Sequence, residues 1–202
     1  MSVEEARAFW DERAATFDDE PDHGLLDPET RESWSTLLDG FLQESRAPVV
    51  DLGCGTGSIA SLLAQRGHRV FGVDVSPKMI EVAQAKAGVA GLDIEYAVGD
   101  VQTMALPASA CGVVLSRHVL WAVADPEQVV RRWSAPLTSG GLFIAIEGVW
   151  ATAGTEPEVV FGAMQPHFAR VEYTDLSDQS ALWGKHVTDH RYAMVGRDPR
   201  GR

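Results

Sequence analysis

The chain has 202 residues, 45% of them hydrophobic and 23% charged, enough for one α/β domain with a sizeable core. Its 17 basic residues against 29 acidic ones leave a net charge of −12, which argues against a nucleic-acid partner because phosphate binding needs a basic patch. No apolar run is long enough to span a membrane, and Met1-Ser2-Val3-Glu4-Glu5 is no signal peptide, so a cytoplasmic protein without a membrane partner is expected; Cys54 and Cys111 are too few for a disulfide framework and lack metal-ligand spacing.

The expected elements run as follows. Ser2 with Glu5 reads as a capping box, and Ala6, Phe9, Trp10, Arg13, Ala14 and Phe17 then recur at helical spacing. An acidic loop from Asp18 to Leu26 follows. Asp27 caps and Pro28 opens a second helix, whose buried stripe is Trp34, Leu37, Leu38, Phe41 and Leu42. After Pro48, strands at Val49–Gly53, Arg69–Val75, Ile94–Gly99, Cys111–Ser116 and Leu142–Glu147 alternate with amphipathic helices, two of them opened by Ser76-Pro77 and Asp125-Pro126. Near-continuously apolar strands between such helices predict a parallel sheet covered on both faces. The end differs: a helix over Glu156–Phe168 precedes two strands, Val171–Leu176 and His190–Gly196, with no full helix between them, which predicts an antiparallel pair. The expected whole is one α/β domain, residues 1–202. It comprises an N-terminal helical cap over 1–45 and a Rossmann-like core over 46–202, whose seven-stranded sheet is mostly parallel with an antiparallel final strand and has helices on both faces.

In open parallel sheets, ligands bind beyond the carboxyl ends of the strands. Each strand here ends in a usable group at that edge. The first ends in Asp51 and the turn Gly53-Cys54-Gly55-Thr56-Gly57, where glycine lets a ligand lie against the backbone and the carboxylate favours a nucleoside carrying a positive group. The second ends at Asp74, spaced to accept from ribose hydroxyls. The third ends at Gly99-Asp100, suited to the exocyclic amine of adenine, and the fourth at Ser116-Arg117-His118.

This ordered set resembles the class I S-adenosylmethionine-dependent methyltransferases, closely over Val49–Gly148 and in outline elsewhere. The resemblance implies S-adenosylmethionine as cofactor, with S-adenosylhomocysteine as its product and no metal. It assigns Asp74 to the ribose, Asp100 and the Val101 backbone N–H to the adenine, and Val75 and Met79 to its flanks. Phe17-Asp18 is similar to an aromatic-plus-acid motif of small-molecule members related to quinone biosynthesis, in which the aromatic approaches the methionine end of the cofactor. A rival stays open: Gly55-Thr56-Gly57-Ser58-Ile59-Ala60 also fits the dinucleotide fingerprint G-x-G-x-x-[GA], as in an NAD-binding oxidoreductase. A non-catalytic cofactor-binding protein of the same fold is a third reading.

Methyl transfer is an in-line displacement that needs approach geometry and exclusion of water more than a protein nucleophile. A base is needed only if the acceptor must lose a proton. His118, after the fourth strand, is the first candidate base, and His23 in Glu20-Pro21-Asp22-His23-Gly24 the second. Arg117 is placed to fix the cofactor carboxylate or to pair with an acid. Trp10, His23 and Trp121 are expected around a small-molecule acceptor, whereas the helical spacing of Trp34 makes it a core residue. The expected assembly is a monomer or homodimer.

Overall fold

The computed structural model describes residues 2–43, 46–106, 111–151 and 153–200. The parts of the expected cap at Met1 and residues 44–45, and of the expected core at 107–110, Thr152 and 201–202, lie outside them. Helix α1 (Val3–Arg13) leads through a 3₁₀ turn (Phe17–Asp19) to the short α2 (Pro21–Gly24) and to α3 (Pro28–Leu42). Then come β1 (Val49–Leu52), α4 (Ser58–Gln65), β2 (Val70–Asp74), α5 (Pro77–Ala90), β3 (Glu95–Val98) and β4 (Cys111–Arg117). A 3₁₀ turn (Leu120–Ala122), α6 (Pro126–Ser134), β5 (Leu137–Trp150) and β6 (Ala153–Gly154) follow, and α7 (Pro157–Met164), β7 (Phe168–Asp175), α8 (Ser180–Trp183) and β8 (His190–Pro199) complete the order.

Four helix starts follow from their capping side chains. Ser2 accepts from the Glu5 N–H while Glu5 accepts from that of Ser2; Asp27, Ser76 and Asp125 accept from Thr30, Met79 and Gln128. Each bond satisfies a backbone donor that the helix itself leaves orphaned.

The sheet runs β3-β2-β1-β4-β5-β8-β7, with β6 paired to β5 off this path. Strands β1 to β5 are parallel, and β8 lies antiparallel between β5 and β7. The seven expected strands are therefore present in a mostly parallel sheet with its antiparallel insertion, and the two-residue β6 is an addition. β5 is much longer than Leu142–Glu147. Its pairing passes from Cys111↔Leu137 to Val113↔Leu142 across an irregularity, so Thr138-Ser139-Gly140-Gly141, ahead of the expected strand, lies within the observed one. The helix expected to reach Phe168 stops at Met164, and Phe168 instead opens β7 opposite Pro199.

Alternation along the strands divides the core. Val113, Leu115, Ile144 and Ile146 face a cluster with Trp34, Leu38, Leu62, Leu63 and Trp183. Val114, Phe143 and Ala145 face another with Val130, Trp133, Met164 and Phe168. α3 thus belongs to a covering layer, with Trp34 fully buried and its indole N–H given to the Leu182 carbonyl at 2.6 Å. Of the expected cap, the segment before α3 supplies the residues that face the cavity described next.

Candidate functional site

A cavity of about 560 Å³ opens at the carboxyl edge of the sheet, a size suited to a ligand of nucleoside dimensions. Asp51, Gly53, Cys54, Gly55, Asp74, Val75, Met79, Asp100, Val101, Arg117, His118 and Trp121 line it from the core, and Trp10, Phe17 and His23 from the N-terminal segment. Three expected residues do not line it. Gly57 caps α4 against Tyr96, Gly99 packs on Met104, and Ser116 is fully buried in β4. These support the turns behind the wall.

The first half of the cavity is acidic and backbone-rich. Asp74 accepts from the N–H groups of Gly55 and Ser76, each at 2.9 Å, so it ties the glycine turn to the start of α5. Asp51 is 2% exposed, and its Oδ2 has no hydrogen-bond partner. Burial pushes its carboxyl up to about 7; Arg117 opposes this and the charge of Asp74 adds to it. An orphaned buried oxygen facing a cavity fits a ligand that brings positive charge. Asp100 lines the cavity while its oxygens hold Gln102 N at 2.9 Å and Thr103 Oγ1 at 3.0 Å, so it is also the pivot of its turn. Burial raises the Cys54 thiol well above its usual range, which leaves it inert as a nucleophile.

The N-terminal segment is fastened over this half by polar contacts. Asp11 accepts from Ser76 Oγ at 2.5 Å and Lys78 N at 3.2 Å, and Arg7 Nε donates to the Val75 carbonyl at 3.2 Å. Asp18 accepts from Thr56 Oγ1 at 2.5 Å and pairs with Lys86 at 2.6 Å. α1 itself has no buried residue. Phe17 lies over the turn: a Cβ on Gly55 would stand 3.3 Å from its ring.

The second half is aromatic and basic. His118 adopts a left-handed backbone, φ 58°, a strained conformation for a residue with a side chain. Three contacts hold it: its N–H reaches the Ile146 carbonyl at 2.8 Å, its carbonyl receives the Trp121 indole N–H at 2.8 Å, and its ring meets Trp150 edge-on at 5.1 Å. Glu147 supports the same loop by accepting from Val119 N at 2.9 Å and Leu120 N at 2.8 Å. Burial pushes this carboxyl up to about 8, against those hydrogen bonds. Arg117 donates to the Asp22 carbonyl and lies 5.0 Å from the Trp34 ring.

His118 Nε2, His23 Nδ1 and Asp22 Oδ2 are buried without hydrogen-bond partners among the described residues. One ligand atom from each of these residues lies within 4.8 Å of the others. Desolvation lowers His118 well below the usual imidazole range, and Arg117, Arg191 and His23 lower it further. His23 is lowered by burial and Arg117, against Asp22 and Glu20. Both rings are therefore neutral near pH 7, with a ring nitrogen of each left for a hydrogen bond at the wall of the cavity.

Sequence reasoning placed the acids, His118 and the carboxylate beside His23, but missed Trp150, Lys185 and Arg191, which also line the cavity. Trp150 and Arg191 carried no local signal, because they reach the site through the antiparallel strands β5 and β8.

Residues 50–145 match a family model described as a methyltransferase domain. A ubiquinone biosynthesis O-methyltransferase of Methylobacterium sp. (strain 4-46) is 36% identical over 97 residues, 48% of this chain and 39% of that protein. One from Methylocella silvestris is 37% identical over 97 residues, 48% of this chain and 38% of its own. The match thus spans well under half the length of these curated relatives. Among solved structures, N-methyltransferase NodS from Bradyrhizobium japonicum WM9, in complex with S-adenosyl-l-homocysteine, aligns with a TM-score of 0.72 and 21% identity over 95% of this chain and 99% of that one. Magnesium protoporphyrin IX methyltransferase from Synechocystis PCC 6803, with bound SAM, gives 0.64 and 18% over 84% and 78%. At such identities the likeness is one of fold.

Proposed function

We propose that this chain, whose residues 50–145 match a methyltransferase-domain model, is a class I S-adenosylmethionine-dependent methyltransferase that transfers a methyl group to a small-molecule acceptor. The observation that carries the reading is the orphaned Asp51 carboxyl beside Asp74 in a cavity roofed by the N-terminal segment. The residues fit the donor nucleoside, whose sulfonium supplies the methyl group for in-line displacement. Asp74 would take the ribose; Asp100, Val101, Val75 and Met79 the adenine; and Gly53, Cys54, Gly55 and Phe17 the methionine end. Arg117 is assigned to its carboxylate, and Gly57, Gly99 and Ser116 to the shape of the turns.

The acceptor half is built from Trp10, Trp121, His23 and His118. His118 Nε2 holds the proton that an acidic acceptor gives up, with His23 as the second candidate. The roof excludes water, which strengthens the electrostatics of the site. A small acceptor agrees with the cavity size and with the acidic chain, which disfavours nucleic acid. We extend the reading to a cytoplasmic monomer or homodimer working without a metal; the positive surroundings of His118 support the absence of a metal.

Calorimetry with S-adenosylhomocysteine and with NAD tests the cofactor. Binding of the sulfur nucleoside and not of NAD is expected, and the reverse would sink the proposal. Turnover of radiolabelled donor against a metabolite panel then separates an enzyme from a non-catalytic binder of the same fold.

A further inference from the structure

Arg191 has no part in the reading above. It stands on β8, beyond the stretch matched by the methyltransferase model, yet it lines the cavity. Its guanidinium lies 4.6 Å from the Trp183 ring and 5.8 Å from the Trp150 ring. The same indoles flank His118, at 6.2 Å and 5.1 Å between ring centroids. Asp189 takes its Nε and Nη2 side at 2.7 Å. Nη1 is turned toward Asp22 Oδ2 at 3.7 Å, beyond hydrogen-bond reach. Around it are the unpartnered Asp22 Oδ2, His23 Nδ1 and His118 Nε2, which together leave room for one polar group of a ligand.

Charge decides what that group is. Two guanidiniums from different strands, Arg117 and Arg191, act on His118. Two carboxylates stand here: Asp189 holds the Nε and Nη2 side of Arg191 at 2.7 Å, and Asp22 Oδ2 is flanked by Arg191 Nη1 at 3.7 Å and His23 Nε2 at 3.8 Å. Lys185 and Glu20 also line the cavity but pair with each other at 2.7 Å. The positive surroundings of His118 oppose a metal cation or a protonated amine, although three potential ligand residues converge. They favour a group that becomes negative. Trp121 and Trp150, with ring centroids 6.3 Å apart, provide flat apolar walls beside it.

We propose that Arg191 selects an acceptor with an acidic oxygen, a hydroxyl on an aromatic or enolic body, and holds it as the oxyanion next to His118. This rests on the methyl-transfer reading and names its substrate class. On binding, the acceptor O–H bond breaks, the proton goes to His118 Nε2, and the electron pair stays on the oxygen facing Arg191. The positive charges that help to lower His118 act on the bound hydroxyl in the same sense and favour its oxyanion. An alkyl amine arrives protonated and is repelled, and an aryl amine, neutral at this pH, has no acidic proton to give up and brings no negative charge to Arg191.

4-Nitrophenol is the probe, because its anion is yellow and its acid form is not. It is titrated into the full chain, with and without saturating S-adenosylhomocysteine, just below its solution pKa. The bound probe is expected to show an anion-to-acid ratio about tenfold or more above that in free solution. 4-Nitroaniline, of the same shape, should bind about tenfold more weakly. Arg191→Gln should abolish the colour shift and leave S-adenosylhomocysteine affinity unchanged, while Arg191→Lys should keep most of the shift. A probe that fails to bind or stays protonated overturns the inference, as does an equal shift in Arg191→Gln, nitroaniline binding as tightly, or Zn²⁺ taken up through His118. A flat S-adenosylhomocysteine isotherm overturns the donor reading instead, since the probe titration is also run without that nucleoside.

Discussion

Phe17 and His23 stack face to face, with ring centroids 4.2 Å apart and planes 11° from parallel. Phe17 also covers the glycine turn and meets Trp10 edge-on at 5.9 Å, so one ring joins the proposed donor half of the cavity to the acceptor half. Aromatic pairs of this kind contribute about 0.5–1.5 kcal/mol beyond burial. Phe17→Ala is therefore expected to weaken S-adenosylhomocysteine binding by up to about tenfold and to lower turnover further, with little change in melting temperature. Calorimetry and a thermal melt check this; unaltered affinity would reduce the stack to packing.

Asp51 makes donor binding depend on pH. Burial disfavours the charge and raises its carboxyl to about 7. A cationic ligand favours the charged form, so binding releases a proton. Affinity for S-adenosylmethionine is then expected to fall as pH drops below about 7, by up to about tenfold per pH unit. Asp51→Asn should bind more weakly and flatten this profile. Calorimetry in buffers of different ionisation enthalpy counts the released proton directly.

Glu147 links pH to stability. Its carboxyl is raised from 4.5 to about 8, so across that window the folded chain keeps a proton that the unfolded chain has released. Stability falls as pH rises through the window and levels off above it. Asp51, raised from 3.8 to about 7, acts in the same direction over its own window. Glu147→Gln retains a carbonyl oxygen for the Val119 and Leu120 N–H groups and cannot ionise. Its melting temperature should decline less steeply with pH than that of the wild type, and equal slopes would remove Glu147 from the account.

Two glycines should respond to alanine with opposite signs. Gly57 has φ 76°, and a Cβ there would stand 2.5 Å from Tyr96 Oη and 3.0 Å from Ala83 Cβ. Gly57→Ala is expected to cost about 1–3 kcal/mol or more. Gly88 lies inside α5 with nothing within 4 Å of its would-be Cβ, so Gly88→Ala should stabilise by about 0.5–1 kcal/mol. Urea denaturation of both variants tests the contrast.

The elements most legible in the sequence were those whose signals are local. Ser2, Asp27, Ser76 and Asp125 announced their helices through side chain–backbone spacing, and the apolar strands announced a doubly covered sheet. Asp51, Asp74 and Asp100 were legible because a parallel sheet collects its strand ends at one edge. β5 was under-read because its continuation through Gly140-Gly141 depends on pairing with β4. Arg191 and Trp150 escaped for a related reason. They come to His118 only because β8 inserts antiparallel beside β5, pairing Gly148 with Arg191, and nothing at either position encodes that register.

α1 hangs over the cavity on polar bonds to Val75, Ser76 and Lys78, with no residue of its own buried, while Val3, Ala6 and Trp10 line the cavity. A ligand that fills the space supplies the apolar contact the helix lacks. A bound molecule would then add to what holds the N-terminus, and any ordering of that helix on binding would enter its affinity. Substitutions on the outer face of α1 that change only its helix propensity therefore retune affinity from a surface the ligand never touches. A chain of this design can be adjusted to its metabolite concentrations without altering a single residue of the binding site.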